Sequence, residues 1–428
     1  MKRSQNYKFE PYWWDAAPRP ELTESDLVRE IDVAVIGSGY TGLNAALQTS
    51  RAGRTTMVLE RDLVGYGCSS RNGGQAGTSF KPKFSSLEKK FGRQVAVEMT
   101  QEGHRALAYL ENLIDEENIQ CDWKKTGRFI GAHTKKAFEK MARHYGSLPA
   151  QVAVEYHMVP ESEQAREIDS SFYRGGCVLP AHGGLHPGKY HNELLKRVID
   201  SGAFVADRCR VDRIESLSKG FRLHTQRGTV DARHVILATN GYTDSQFGWH
   251  NKRILPIGSF QIATEPLSDE LISRLIPYER VVSDTLLIGN YFRLSPDRTR
   301  LLFGGRVTFS EAGSDAGTDV LYQQMLRTFP QLEGVELSHA WVGFVAYTTD
   351  ISPHIGVKDN IHYAMGYCGS GITLSSYFGM RVGQKVLGAA QGQTALDNLR
   401  FKPWPTLIRS KTMLGAATRM LRIAENFV

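Results

Sequence analysis

Gly37, Gly39 and Gly42 form a G-x-G-x-x-G run inside the stretch DVAVIGSGYTGLNAALQ. This spacing suits one task, the holding of a diphosphate. Gly37 permits a tight turn, Gly39 lets the backbone approach phosphate without a Cβ, and Gly42 lets a helix pack onto the preceding strand. Unpaired N–H groups and partial positive charge at that helix start would face the anion. Glu60 stands eighteen residues past Gly42, where a carboxylate accepts hydrogen bonds from ribose hydroxyls and repels a 2′-phosphate. The residues therefore point to a dinucleotide without a 2′-phosphate.

The elements needed to position these groups are legible nearby. Asp32–Ile36 reads as a buried strand. Leu43, Ala46 and Leu47 recur at helical spacing from Thr41 to Ala52, Gly53 stops that helix, and Thr55–Leu59 is a second strand. A strand–helix–strand unit of this length requires a right-handed crossover and a parallel sheet. Two remote blocks repeat the pattern of an apolar strand followed by glycine: HVILATNGYTD from His234, and IHYAMGYCGSGITLSSYFGMRVGQKV from Ile361, the latter continuing into a helix. Residues 83 to 147 read as charged helix with Leu107, Leu110 and Leu113 on one side. In YFRLSPDRTRLLFGG a turn around Pro296 and Asp297 joins two strands. The expected fold is α/β: a discontinuous Rossmann-type domain formed by residues 28–82, 148–250 and 341–428. A second, α+β substrate domain with a mostly antiparallel sheet would comprise 83–147 and 251–340.

Composition narrows the class. A chain of 428 residues exceeds one compact core. The net charge of +7 suits an anionic ligand, and no basic run interleaved with aromatics marks a nucleic-acid surface. Nothing approaches a membrane-spanning apolar run, and the N-terminus lacks the apolar core of a secretory signal. The five dispersed cysteines read as free thiols of a reducing cytoplasm. His182, His186 and His191 in AHGGLHPGKYH invite a metal reading, but Gly183, Gly184 and Pro187 break any helical face and no further ligand completes a set. A turn leading into a helix, with Pro187 near its first position, is the better account, and no metal is expected.

After Glu60 comes DLVGYGCSSRNGGQAGTSF, a glycine-dense polar loop suited to close passage along an extended ligand. GYGCSSRNGGQ resembles the flavin-embracing loop of the D-amino acid oxidase, glycine oxidase and sarcosine oxidase superfamily. VILATNG resembles its second FAD motif, with Asn240 before Gly241. YTTDISPHIG resembles its segment near the flavin ring, and MGYCGSGIT its C-terminal glycine loop. The loop RNGGQ, LHPGKY and GYCGSG resemble the gamma-glutamylputrescine oxidase-like branch, a group of polyamine catabolism. The resemblance covers nearly the whole chain. It implies FAD, with Gly37, Ser38, Gly39, Tyr40, Thr41 and Gly42 at the pyrophosphate, and Glu60 with Arg61 at the adenosine ribose. Gly67, Cys68, Ser69, Arg71, Asn72, Gly73, Gly74 and Gln75 would run along the ribityl chain and ring. Val211 would meet adenine, Ala238 and Gly241 belong to the second motif, and Gly369, Ser370, Gly371, Ile372 and Thr373 would face the pyrimidine edge.

Where sarcosine oxidases carry a cysteine that binds FAD covalently, this chain has Val345 or Ala346, so the resemblance implies noncovalent FAD. Cys68 and Cys368 stand in two ring-proximal loops, but a small buried thiol more often simply packs. LLFGG lacks the lysine that aids reaction with oxygen in some relatives. Oxygen therefore stays open against a quinone or carrier as electron acceptor. The implied reaction is oxidation of a C–N bond in a small amine by hydride transfer to flavin, giving an imine, then aldehyde and ammonia. The cofactor carries the redox chemistry and the protein orients and polarises. The helix expected after Gly371 would aim its N-terminus at developing negative charge. Tyr291, Arg293, Arg306, Trp341, Tyr347 and Tyr367 are candidates for the substrate pocket, an arginine pairing with a substrate carboxylate and an aromatic wall holding a protonated amine. A flavin monooxygenase using reduced nicotinamide and a noncatalytic flavoprotein are the rival readings. The C-terminal stretch from Thr406 could form a basic amphipathic helix, expected to dock on the FAD domain rather than on a membrane.

Overall fold

The computed structural model describes residues 2–23, 27–306 and 315–409, without the side chains of residues 306, 315 and 316. The expected strand–helix–strand unit is present as Glu30–Ile36, Tyr40–Arg51 and Thr56–Leu59. It lies at the centre of an eight-stranded sheet. Glu30–Ile36 pairs in parallel with Thr56–Leu59 on one side and Gly228–Leu237 on the other. Phe204–Ala206 and Ile361–Met365 extend the parallel set outward. Strands buried on both faces read as continuous apolar runs, which is why DVAVI, TMVL and HVIL were visible in the sequence. Ala34, Val35 and Val58 are fully buried.

The second sheet has nine strands in the order Arg3–Lys8, Leu337–Tyr347, Leu255–Thr264, Leu301–Arg306, Asn290–Leu294, Val281–Asp284, Arg128–Gly131, Gly176–Leu179 and His157–Val159. It is mostly antiparallel. The turn around Pro296 and Asp297 joins Asn290–Leu294 to Leu301–Arg306 with Phe292 opposite Phe303. The C-terminal stretch beyond residue 409 lies outside the described residues.

Sheet membership differs from the expected domain boundaries in three places. His157–Val159 and Gly176–Leu179, assigned to the nucleotide domain, belong to the nine-stranded sheet, as does Leu337–Tyr347. Helices Phe84–Phe91 and Arg93–Glu116, assigned to the substrate domain, bury Leu87, Leu110 and Leu113 in one cluster with Val33, Leu43 and Tyr377 of the nucleotide side. A helical apolar stripe announces that it will be covered, but not by what. The N-terminal strand Arg3–Lys8, which adds in parallel to Leu337–Tyr347, had no signal of its own.

Helices Tyr40–Arg51 and Gly371–Val386 cross in close contact because glycines remove the side chains between them. A Cβ on Gly379 would drive into the carbonyl oxygen of Thr41, and one on Gly383 would lie 2.9 Å from that of Ala45. This crossing brings both helix starts to the same side of the parallel sheet. Gly379→Ala is expected to cost about 1–3 kcal/mol by overpacking, read as a lower melting temperature. Gly248→Ala, where a Cβ meets open space, should stay within about 0.5 kcal/mol, and equal effects would contradict the account.

Candidate functional site

The nucleotide loop is shaped by backbone proximity. Gly37 sits at φ +107°, and a Cβ there would lie 3.0 Å from the Ala238 carbonyl oxygen. A Cβ on Gly42 would collide with the Gly37 carbonyl oxygen, so the helix can start this close to the strand only with glycine. The Ser38 N–H and hydroxyl both donate to Glu60 Oε2, at 2.9 and 2.7 Å, while the Asp62 N–H donates to Oε1 at 3.1 Å. Glu60 thus fastens the turn that it also borders. No side chain caps the helix start at Gly39. His191 Nε2 bonds the Ser38 carbonyl at 2.8 Å, and His186 caps the helix that begins at Pro187 by accepting from the Lys189 N–H at 3.1 Å. His182 Nε2 likewise lies 3.2 Å from the Thr78 N–H, so all three histidines hold backbone. Among the described residues no cluster of His, Cys, Asp and Glu could bind a metal ion.

A cavity of about 440 Å³ runs from this loop to one face of the nine-stranded sheet. Of the residues expected at the cofactor, Gly37 to Thr41, Glu60, Arg61, Gly67, Cys68, Ser69, Arg71, Asn72, Gly73, Gln75, Val211, Ala238, Gly369, Gly371 and Ile372 line it. Gly42, Gly74, Gly241, Ser370 and Thr373 do not. Gly42 and Gly241 are close-approach positions, the latter against the Phe344 carbonyl, and Thr373 donates its hydroxyl to the Gly77 carbonyl at 3.2 Å.

The 67–75 loop is pinned through its carbonyls by buried donors. Gln261 Nε2 and Trp341 Nε1 donate to the Arg71 oxygen at 2.6 and 2.9 Å. Trp13 Nε1 donates to the Asn72 oxygen at 2.9 Å, and Arg293 Nη1 and the Leu185 N–H to the Gly74 oxygen at 2.8 and 2.9 Å. Arg71 itself stacks between the rings of Trp14 and Tyr66. The substrate candidates divide accordingly. Tyr291 and Tyr347 line the cavity. Tyr367 lines it too, but its hydroxyl is engaged with Thr41 Oγ1 at 2.7 Å and the Ala364 carbonyl at 3.1 Å. Trp341 and Arg293 are buried behind the loop and do not line the cavity, because their polar atoms satisfy its backbone. The side chain of Arg306 lies outside the described part of the structure.

The glycine cradle, the two helix starts without side-chain caps and the acid beside the turn fit an FAD lying along this cavity. The family model for DAO, described as FAD dependent oxidoreductase, matches residues 32–385. The chain belongs to the DAO family. Among its relatives are the Gamma-glutamylputrescine oxidoreductase of Escherichia coli, 31% identical over 416 residues with 95% of each chain covered, and the Probable oxidoreductase OrdL of Haemophilus influenzae, 30% identical over 424 residues covering 98% of this chain and 93% of that one. Glycine oxidase from Geobacillus kaustophilus shares the fold, with a TM-score of 0.73 at 21% identity, covering 88% of this chain and 99% of its own. This DAO-family protein is an FAD-dependent oxidoreductase of the amine and amino-acid type. Among the described residues no helix is long and apolar enough to cross a membrane.

In this DAO-family chain the cavity also holds side chains that sequence reasoning passed over: Lys81, Arg128, Ser259, Gln261, Asp284 and Asn290. None sits in a recognisable motif. Ser259, Gln261 and Asp284 follow the alternation of their strands, a signal that marks a face but not its purpose. Asp284 accepts from the N–H groups of Leu286 and Asn290 at 3.2 and 3.0 Å and from Asn290 Nδ2 at 3.1 Å. Burial outweighs these bonds and pushes its carboxyl up to about 7. Burial likewise pushes the Cys68 and Cys368 thiols up to about 11, so both stay protonated at neutral pH. Between about pH 4 and 7 the unfolded chain releases the Asp284 proton before the folded one does, and stability falls as pH rises. Asp284→Asn removes that slope. Relative to the unaltered protein, the variant's melting temperature is expected to improve from pH 5 to pH 8, and a constant difference would refute the assignment.

Proposed function

We propose that the protein oxidises the C–N bond of a small amine of the gamma-glutamylputrescine kind, with oxygen as electron acceptor, as a cytoplasmic enzyme of polyamine catabolism. The observation that carries this reading is the continuity of the cavity. It joins the nucleotide loop to a polar sheet face where Tyr291, Tyr347, Ser259 and Asp284 surround room for a substrate. The kinship with the Escherichia coli Gamma-glutamylputrescine oxidoreductase over 95% of both chains supports the substrate class.

FAD, when bound, supplies the two-electron acceptor, and the chain supplies orientation and charge. Gly371 and Ile372 begin a helix with no side-chain cap and border the cavity, so their N–H groups can stabilise negative charge that develops there. Asp284, ionised above about pH 7, attracts a protonated amine. The aromatic rings of Tyr291 and Tyr347 exclude water from the reacting carbon and offer faces to a cation. FAD is held noncovalently: Val345 and Ala346 carry no nucleophile, and Cys68 Sγ donates to the Phe344 carbonyl at 3.0 Å. Precipitation in acid should leave a colourless pellet and a yellow supernatant, and a yellow pellet would establish a covalent bond.

The substrate reading is tested by anaerobic bleaching of the flavin. Gamma-glutamylputrescine should bleach it and reduced nicotinamide alone should not. On admitting air, peroxide should form in step with turnover. Bleaching by nicotinamide would instead identify a monooxygenase, turnover with dye but without peroxide a dehydrogenase, and no bleaching by any amine a noncatalytic flavoprotein.

A further inference from the structure

Two arginines stand inside the protein behind or beside the cavity, and their surroundings differ. Arg293 is enclosed by three carbonyl oxygens, those of Gly74, Leu185 and Leu294, at 2.8 to 3.0 Å. Its Nε and Nη1 are thereby engaged, and it does not line the cavity. Arg128, on the strand Arg128–Gly131, lines the cavity, and its side chain makes no hydrogen bond or ion pair with any described residue. Its Nε is shut off from solvent without a partner. Arg128 is partly exposed where it lines the cavity, and burial of the rest of the side chain lowers its affinity for the proton, to about 10. A guanidinium is very hard to deprotonate, so this site holds a cation whose donors no described residue meets.

An unpaired buried charge is costly to a fold unless something supplies its counterion. Within the described residues nothing does. The acid Asp284 on the neighbouring strand is held by Asn290 and Leu286, and no ion pair joins it to Arg128. His182, the titratable neighbour from the adjoining turn, is kept neutral by burial and by Arg128 itself. Tyr145, packed on the same side, stays protonated because burial raises its pKa. Position adds the second part of the argument. The strand of Arg128 lies four strands from Leu255–Thr264, whose Gln261 holds the 67–75 loop. At the usual strand spacing this is roughly 19 Å along the sheet.

We propose that Arg128 is the receptor for an anionic group, a carboxylate, carried by the substrate at the end remote from the C–N bond that is oxidised. This rests on the amine-oxidation reading above and deepens it. The site would select amines with an acidic tail several bonds from the reacting carbon, rather than compact α-amino acids or free diamines. Arg128 offers planar paired donors that a carboxylate matches in two parallel bonds. A distal ammonium in the same place would meet a like charge in a poorly screened space.

The test compares three amines that share one reacting end, using holoenzyme in anaerobic flavin reduction: gamma-glutamylputrescine, whose tail ends in a carboxylate beside an α-ammonium, butylamine with no charged tail, and putrescine with a cation alone. Arg128→Gln should raise the half-saturating concentration for gamma-glutamylputrescine by about tenfold or more, as loss of a charged hydrogen-bonded pair implies. Its limiting rate should change little. Butylamine should be unaffected and putrescine should bind no worse, or better. Arg128→Lys should recover part of the affinity, and FAD content should match in all three proteins. Equal weakening of all three amines, or no weakening of gamma-glutamylputrescine, would overturn the assignment. If no amine reduces the flavin, the oxidation reading fails on its own, and glutarate binding, followed by the shift it causes in the flavin spectrum, decides this one. Saturable glutarate binding that Arg128→Gln weakens about tenfold upholds the anion site. Binding that is absent, or that the substitution leaves unchanged, removes it.

Discussion

The structure depends on satisfying the backbone of one buried loop. Residues 67–75 leave the parallel sheet and cross the face of the other one, where water is scarce and their carbonyls would otherwise go unpaired. Donors reach them from every neighbouring layer: Trp13 from the N-terminal segment, Gln261 and Trp341 from two central strands, and Arg293 and Leu185 from behind. Buried carbonyls left without partners each cost on the order of 1–3 kcal/mol, so these donors decide whether the loop has one conformation. The loop in turn carries Gly73, against whose Cα the Tyr291 ring packs so closely that a Cβ would lie 2.7 Å away. The two sheets are therefore registered to each other through the element that borders the cofactor.

Glycine governs the other half of the site. The turn at Gly37 needs φ +107°, and the contact of Gly42 with the Gly37 carbonyl leaves no room for a side chain. The helix crossing at Gly379 and Gly383 then sets where the second helix start points. Helix starts and bare backbone supply positive potential without a dedicated cation. At the nucleotide end Glu60 and Arg61 also line the cavity, and the sheet end carries Lys81, Arg128 and Asp284.

How much of this was legible varied with the range of the cause. The nucleotide turn, its strand and helix, the acid at Glu60 and the three-part division of the parallel sheet were visible because each is written over a few adjacent residues. Trp341 and Arg293 were read as substrate residues because an aromatic and an arginine in strands fit that chemistry equally well. Only the observed partners, a loop carbonyl in each case, separate the two roles. The domain boundaries shifted for the same reason: a stripe such as Leu110 and Leu113 specifies burial, and several surfaces could have provided it.

By itself the sequence determined the local geometry: glycines where a backbone must pass closely, apolar runs that become parallel strands, and a carboxylate at the end of the second strand. The tertiary structure alone decided which charges meet partners. Arg128 and Arg293 are equivalent letters in similar strands, yet Arg293 is held by carbonyls and Arg128 opens onto the cavity with no partner among the described residues. The reason is physical. Backbone preferences act over neighbouring residues, whereas desolvation and charge pairing depend on every segment that the fold brings alongside.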